Sequence, residues 1–317
     1  MYSEPVFLEP AFQERIWGGT KLQKLYGYNI PSESTGEAWV ISAHQKGPSI
    51  VMNGLLKGKS LLEVWKEHSY LFGNITESET FPLLTKILDA NDDLSVQVHP
   101  DDLYAREVAE EKFGKTECWY ILDCDENAEI IFGHYAQNEQ EFKEMVTNGD
   151  WTGLLQRLRV KKGDFVYVPS GTLHAIGKGI VILETQQSSD ITYRVYDYGR
   201  TDAAGNCREL HIEQALAVTS CPHKDTAKTD VKDINGDLES TQLIVDKYFT
   251  VYHWKLDGKT TTPLKKDFLL MSVIEGDGVI MIDGKGSLLK KGDNFILPAT
   301  IEEYGIEGNL EIIVSHT

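Results

Sequence analysis

One seven-residue pattern occurs twice in this chain. Gly163-Asp164-Phe165-Val166-Tyr167-Val168-Pro169 returns as Gly292-Asp293-Asn294-Phe295-Ile296-Leu297-Pro298. In each copy Gly-Asp supplies a turn, an apolar run supplies a strand, and proline closes it because it cannot donate to a ladder. A hairpin precedes both copies, ending at Gly133 in one and Gly284 in the other. The repeat predicts a duplicated β-barrel unit. The copies then diverge. The first continues Ser170-Gly171-Thr172-Leu173-His174, the second Ala299-Thr300-Ile301-Glu302-Glu303, which has no histidine. Any chemistry is therefore expected in the first copy.

The chain is long enough, at 317 residues, for two cores of ordinary domain size. Short Val- and Ile-rich runs predict a mainly β protein. The division expected from these runs is residues 1–59 plus 80–220 as the first barrel and 243–317 as the second. Helical insertions are expected at 60–79, where Ser60 and Glu63 form a capping box, and at 137–159, in two pieces around Asn148-Gly149. A further helix is expected from Asp101 to Phe113, and one from His211 to Val218. The polar stretch 221–242 reads as a linker or surface loop.

Net charge is −18, which argues against nucleic acid or an anionic membrane as partner. No uncharged apolar run is long enough to span a bilayer, and Met1–Pro5 lacks the features of a secretory signal. Cys118, Cys124, Cys207 and Cys221 form no C-x-x-C pair. Unpaired thiols in a reducing, cytoplasmic setting are the expectation.

Leu94-Ser95-Val96-Gln97-Val98-His99-Pro100 alternates strictly. A strand sends successive side chains to opposite faces, so Val96 and Val98 point one way and Ser95, Gln97 and His99 the other. Taken alone, the stretch also fits a half-exposed strand with its wet side outward. Lys115-Thr116-Glu117-Cys118-Trp119 likewise gathers Lys115, Glu117 and Trp119 on one face. Gln97, His99, Glu117 and His174 make a set of metal-type ligands that suits zinc, and also iron, manganese or cobalt. Glu184 shares parity with Ile180 and Ile182, and a carboxyl buried among apolar neighbours gains affinity for protons. Glu184 and Lys115 are candidate proton carriers, with a metal-bound water as a third. Glu184 as a structural partner of a Lys or Arg is the other reading. Lys86 interrupts the apolar run Phe81–Leu88, and either snorkels to solvent or meets an anion. Ser95 and Arg194 offer further donors, Arg194 with a planar fork that can grip an anion through two oxygens.

The run Gly163–His174 matches G-D-x-x-x-x-P-x-G-x-x-H, a motif of cupins, at every fixed position. Ser95–Pro100, Lys115–Glu117, Gly171–Ala175 and Gln187–Asp197, in this order, together resemble class I mannose-6-phosphate isomerases, in particular the short bacterial form. The resemblance implies two cupin-type (jelly-roll) β-barrels with helical insertions. It also implies one zinc per chain on Gln97, His99, Glu117 and His174, other divalent metals being compatible, and a catalytic role for Arg194. Trp17, Glu37 and Asp190 match pocket-lining positions of that family. Core aromatic, surface carboxylate and Asx turn are their plain alternatives. The aromatic continuation Tyr193-Arg194-Val195-Tyr196-Asp197-Tyr198 departs from the larger enzymes. The implied activity is aldose–ketose isomerisation of a small sugar phosphate through a cis-enediolate, by a monomer or homodimer. A cupin iron oxygenase using His99, Glu117 and His174, and a bicupin that binds phosphosugar without turnover, are the competing expectations.

Overall fold

The two Gly-Asp turns are built alike. In a computed structural model of the chain, which describes residues 2–73, 80–201, 205–226 and 230–317, Gly163 and Gly292 adopt left-handed φ angles of 89° and 94°. A Cβ makes that conformation costly. Asp164 Oδ2 accepts from the Lys161 amide at 2.9 Å, and Asp293 Oδ2 from the Lys290 amide at 2.9 Å. The ladder beyond each turn also matches. Gly163 N donates to Ile121 O at 2.8 Å, and Gly292 N to Val273 O at 2.9 Å.

Three antiparallel sheets carry the described residues. A six-stranded sheet runs Phe165–Val168, Glu117–Cys124, Ile180–Gln187, Leu83–Ala90, Thr35–Ile41, Ala11–Gly19. A five-stranded sheet runs Tyr193–Tyr196, Val96–Val98, His174–Ala175, Glu129–His134, Leu155–Arg159. The third, nine-stranded, is built mainly from residues 231–316.

Strand alternation decides which core each side chain enters. Trp119, Ile121, Ile180 and Ile182 of the six-stranded sheet meet Ile130 and Ile176 from the opposing side, filling the first barrel. Their neighbours Cys118, Tyr120, Val181 and Leu183 point the other way. They pack against Phe249, Val251, Leu270, Ile296 and Ile313 of the third sheet. Val96 and Val98 pack outward with Phe142, Val146 and Ala215 from the helices. The second barrel closes on Leu269, Met271, Val273, Phe295 and Leu297.

Several boundaries differ from the sequence reading. Val6–Glu9 and Ile50–Val51 lie in the third sheet, Val6 opposite Ile296 and Leu8 opposite Val51, so the 1–59 segment is shared between barrels. An isolated apolar strand carries no signal of which ladder it will join. Leu61–Glu67 is helical, with its capping box formed, and Ser69–Phe72 is a 3-10 turn; residues 74–79 lie outside the described residues. Within 137–159 only Glu139–Asn148 and Trp151–Leu154 are helical. Leu155–Arg159 is a strand, recruited by pairing with Glu129–His134. The helix after Asp101 ends at Glu107. Part of 221–242 is a hairpin, Val231–Asn235 with Leu238–Val245. Every residue of its outer strand is exposed, which explains the polar composition. The second barrel's main strands are long, not short: Thr250–Pro263, Leu269–Ile282 and Glu303–His316 have 14 residues each.

A candidate metal centre in a charged cavity

His99, Glu117 and His174 come from three different strand ends, yet their donor atoms lie within 4.8 Å of one another. The Val96–Val98 strand pairs with both Tyr193–Tyr196 and His174–Ala175, His174 standing opposite Gln97. Glu117 opens the facing strand of the other sheet. Glu117 Oε2 is 3.5 Å from His99 Nε2, and Glu117 Oε1 is 3.3 Å from His174 Nε2. All three side chains are about 1% exposed.

The second nitrogen of each ring fixes how it faces the cluster. His99 Nδ1 donates to Ile191 O at 2.8 Å, and His174 Nδ1 to Thr172 O at 2.9 Å. Each Nε2 lone pair therefore points inward, the tautomer a metal-binding histidine needs. Burial, followed by the charge of Lys115, pulls both imidazoles down: His99 well below its usual range and His174 to about 4. Neutral rings near neutral pH suit ligation. Gln97 Nε2 lies 3.4 Å from His174 Nε2, and turning the amide over presents Oε1 there instead. The donor set fits a divalent ion.

A cavity of about 340 Å³ opens on this cluster between the two sheets. Gln97 and Glu117 line it, with Trp17, Glu37, Lys86, Ser95, Lys115, Glu184, Asp190 and Arg194. A larger cleft, about 770 Å³, meets it at Asp190 but carries none of the metal-type donors.

Opposite charges hold most of the lining in place. Lys115 is ion-paired to Glu117, and its Nζ lies 3.1 Å from His99 Nε2 and 3.8 Å from Glu184 Oε1. Burial lowers the Lys115 pKa, but Glu117 and Glu184 outweigh it and leave the ammonium above its usual value. Lys86 does not snorkel: it is buried, 3.3 Å from Glu184 Oε2, and lies over the Trp39 ring. Glu184 thus sits between two lysines and accepts from Trp119 Nε1 at 3.2 Å. The apolar surroundings expected from strand parity are only part of its environment, because parity does not report the facing strands. Glu37 accepts from Arg15 at 2.9 Å and from the Trp39 indole at 2.6 Å. Asp190 pairs with Lys46 at 2.7 Å. Arg194 differs from these cations. Its partners are Ser95 Oγ at 3.3 Å and Glu209 O at 2.8 Å, and no described carboxylate pairs with it.

Several lining residues escaped the sequence reading, Arg15, Trp39 and Arg208 among them. Arg15 and Trp39 share strand faces with Trp17 and Glu37, so alternation carried a signal for both. Arg208 lies in an irregular segment, held by Asp197 at 2.5 Å, where no periodicity exists to read.

Fold and donor set define a two-barrel cupin protein with a buried metal-type centre. A type I phosphomannose isomerase catalytic-domain model matches residues 6–143, and a mannose-6-phosphate isomerase cupin-domain model matches residues 239–317. The mannose-6-phosphate isomerase ManA of Bacillus subtilis is 52% identical over 316 residues, covering 100% of both chains. That of Streptococcus mutans is 52% identical over 315 residues, 99% of each. A crystal structure of mannose 6-phosphate isomerase from Bacillus subtilis matches with a TM-score of 0.97, covering 99% of both chains at 52% identity. This chain belongs to the type I mannose-6-phosphate isomerase family.

Proposed function

We propose that the protein interconverts mannose 6-phosphate and fructose 6-phosphate, with one zinc ion held by Gln97, His99, Glu117 and His174. The observation that carries this reading is convergence: Gln97 and Glu117, a paired carboxylate and an arginine with no described carboxylate partner line one cavity, and the His99 and His174 rings lie within 3.5 Å of Glu117. When bound, a divalent ion supplies charge that polarises the substrate carbonyl and favours the enediolate.

The chain's own groups divide the remaining work. Glu184 is the proton carrier, taking a proton from one carbon and returning it to the next. Lys86 and Lys115 offset the cost of burying its charge. Lys115, held charged, is suited to stabilising developing negative charge rather than to acting as a base. Arg194 and Arg208, at the Ser95 side of the cavity, receive the phosphate. A charged hydrogen bond to phosphate contributes about 1.5–3 kcal/mol. Trp17, Glu37 and Asp190 shape the sugar's enclosure.

No helix among the described residues is long and apolar enough to cross a membrane. The unpaired cysteines support a reducing, cytoplasmic setting. The deciding experiment is a coupled assay with mannose 6-phosphate on chelator-stripped protein, then with zinc restored. Turnover should vanish and return. Full activity in protein shown by elemental analysis to be metal-free would overturn the zinc assignment. No turnover with any divalent ion would overturn the reaction.

A further inference from the structure

Behind Glu117, on the side away from the cavity, one buried and one half-buried polar side chain hold the backbone that aims it. Gln187 ends the Ile180–Gln187 strand and is 3% exposed. Its amide Oε1 accepts from Thr116 N at 2.9 Å, while its own backbone N donates to Thr116 O at 3.1 Å. One residue therefore satisfies both backbone groups of Thr116, the neighbour of both Lys115 and Glu117. Gln187 Nε2 donates to Asp102 Oδ1 at 2.8 Å, and the same oxygen accepts from Gly114 N at 2.9 Å. The turn is tightly seated: a Cβ on Gly114 would lie 2.5 Å from Pro100 O. Neither Gln187 nor Asp102 lines the cavity.

We propose that Gln187 and Asp102 are positioning residues: they pin the Gly114–Thr116 backbone and so set where Glu117 and Lys115 stand against His99 and His174. The inference rests on the functional reading above for its kinetic consequence, but not for its effect on metal binding. A misplacement of a supporting hydrogen bond behind a metal ligand is expected to cost about 10–100-fold in affinity or turnover. Because neither residue meets the sugar, the loss falls on kcat rather than KM.

The test is a charge swap within the pair. Gln187→Glu sets a second carboxylate against Asp102, and adding Asp102→Asn returns a donor to face it. Zn²⁺ affinity is read by calorimetry on stripped protein, kcat and KM with mannose 6-phosphate, and folding by circular dichroism. The single variant should lose about 10–100-fold in Zn²⁺ affinity and in kcat, with KM within about twofold. The double variant should recover part of each loss: the carboxylate–carboxylate repulsion is gone, but the amide nitrogen that Asp102→Asn turns toward position 187 also faces the Gly114 N–H, which gives up its acceptor. A single variant that binds Zn²⁺ and turns over like the wild type overturns the proposal. So does a double variant no better than the single, including the case where neither folds. If Gln187→Glu alone fails to fold, a folded double that binds Zn²⁺ supports the pair. Wild-type protein that binds Zn²⁺ without isomerising the sugar would sink the reaction, and the Zn²⁺ measurements would still decide the positioning role.

Discussion

The two copies of the Gly-Asp turn share a backbone and share almost nothing of what they enclose. Ile121 N donates to Asp164 O at 2.9 Å, and Val273 N to Asp293 O at 2.9 Å. In the same register Val168 stands opposite Glu117, and Leu297 opposite Leu269. One ladder position thus carries a buried carboxylate in the first barrel and a leucine in the second. The first barrel buries carboxylates beside its donors, and Lys115 and Lys86 pair with Glu117 and Glu184 accordingly. The second fills the equivalent space with apolar side chains and instead braces the outer face of the sheet that holds Glu117. The turn motif specifies a barrel; the inward residues beside it specify chemistry.

The comparison is broken most severely at the position where the copies carry His174 and Glu303. His174→Ala should abolish metal binding and reduce turnover to background while the fold survives, as judged by elemental analysis, coupled assay and circular dichroism. Glu303 is exposed, and Glu303→Ala should leave turnover unchanged. Equal losses from both variants would refute the division of labour between barrels. The partner experiment removes Leu269, the counterpart of Glu117. Leu269→Ala leaves a void in a packed core and should cost about 2–5 kcal/mol in denaturant unfolding. At temperatures where the variant stays folded, its kcat/KM should hold. Next in size comes Arg194→Ala. Losing one charged contact to phosphate, at about 1.5–3 kcal/mol, should lower kcat/KM roughly 10–100-fold. An unchanged KM would move Arg194 from the phosphate to the reacting carbons.

Much of this difference is legible in the sequence, and for a physical reason. The residues that alternate on regular strands, Ser95, Gln97 and His99, or Lys115 and Glu117, declare a shared face through their parity alone. The repeat declares two barrels, and the missing histidine declares which one lacks the donors. The hidden part depends on pairing between distant segments. Glu184 looks apolar in its own strand, but its cross-strand neighbour is Lys86 on one side and Trp119 on the other. Val6–Glu9 joins the far sheet because a four-residue strand takes whichever edge is free. Arg208 and the Gln187–Asp102 contact lie where a loop or a strand end meets another segment. Side-chain spacing says nothing there.

The smallest predicted effect tests the two turns against each other, and it should differ in sign. Burial raises the Asp293 carboxyl above the usual aspartate value of 3.8, the amide and charge of Lys290 only partly opposing it. A folded state that holds its proton more tightly than the unfolded chain loses stability as pH rises through the interval between the two values. Above that interval the deficit is complete. Asp293→Asn keeps an oxygen for the Lys290 amide and carries no charge to bury, so it should melt higher than wild type at neutral pH. The gap should close as pH falls below the ordinary aspartate range. In the first copy, Asp164 also takes Lys161 Nζ at 2.7 Å, a pair in which the lysine is 82% exposed. Asp164→Asn gives up that contact and should melt slightly lower than the wild type at neutral pH. Thermal melts of the two variants from acid to neutral pH compare them directly. Shifts of the same sign at neutral pH would mean that the matching backbones impose matching electrostatics, and the turns would then differ only in the strands and loops they lead into.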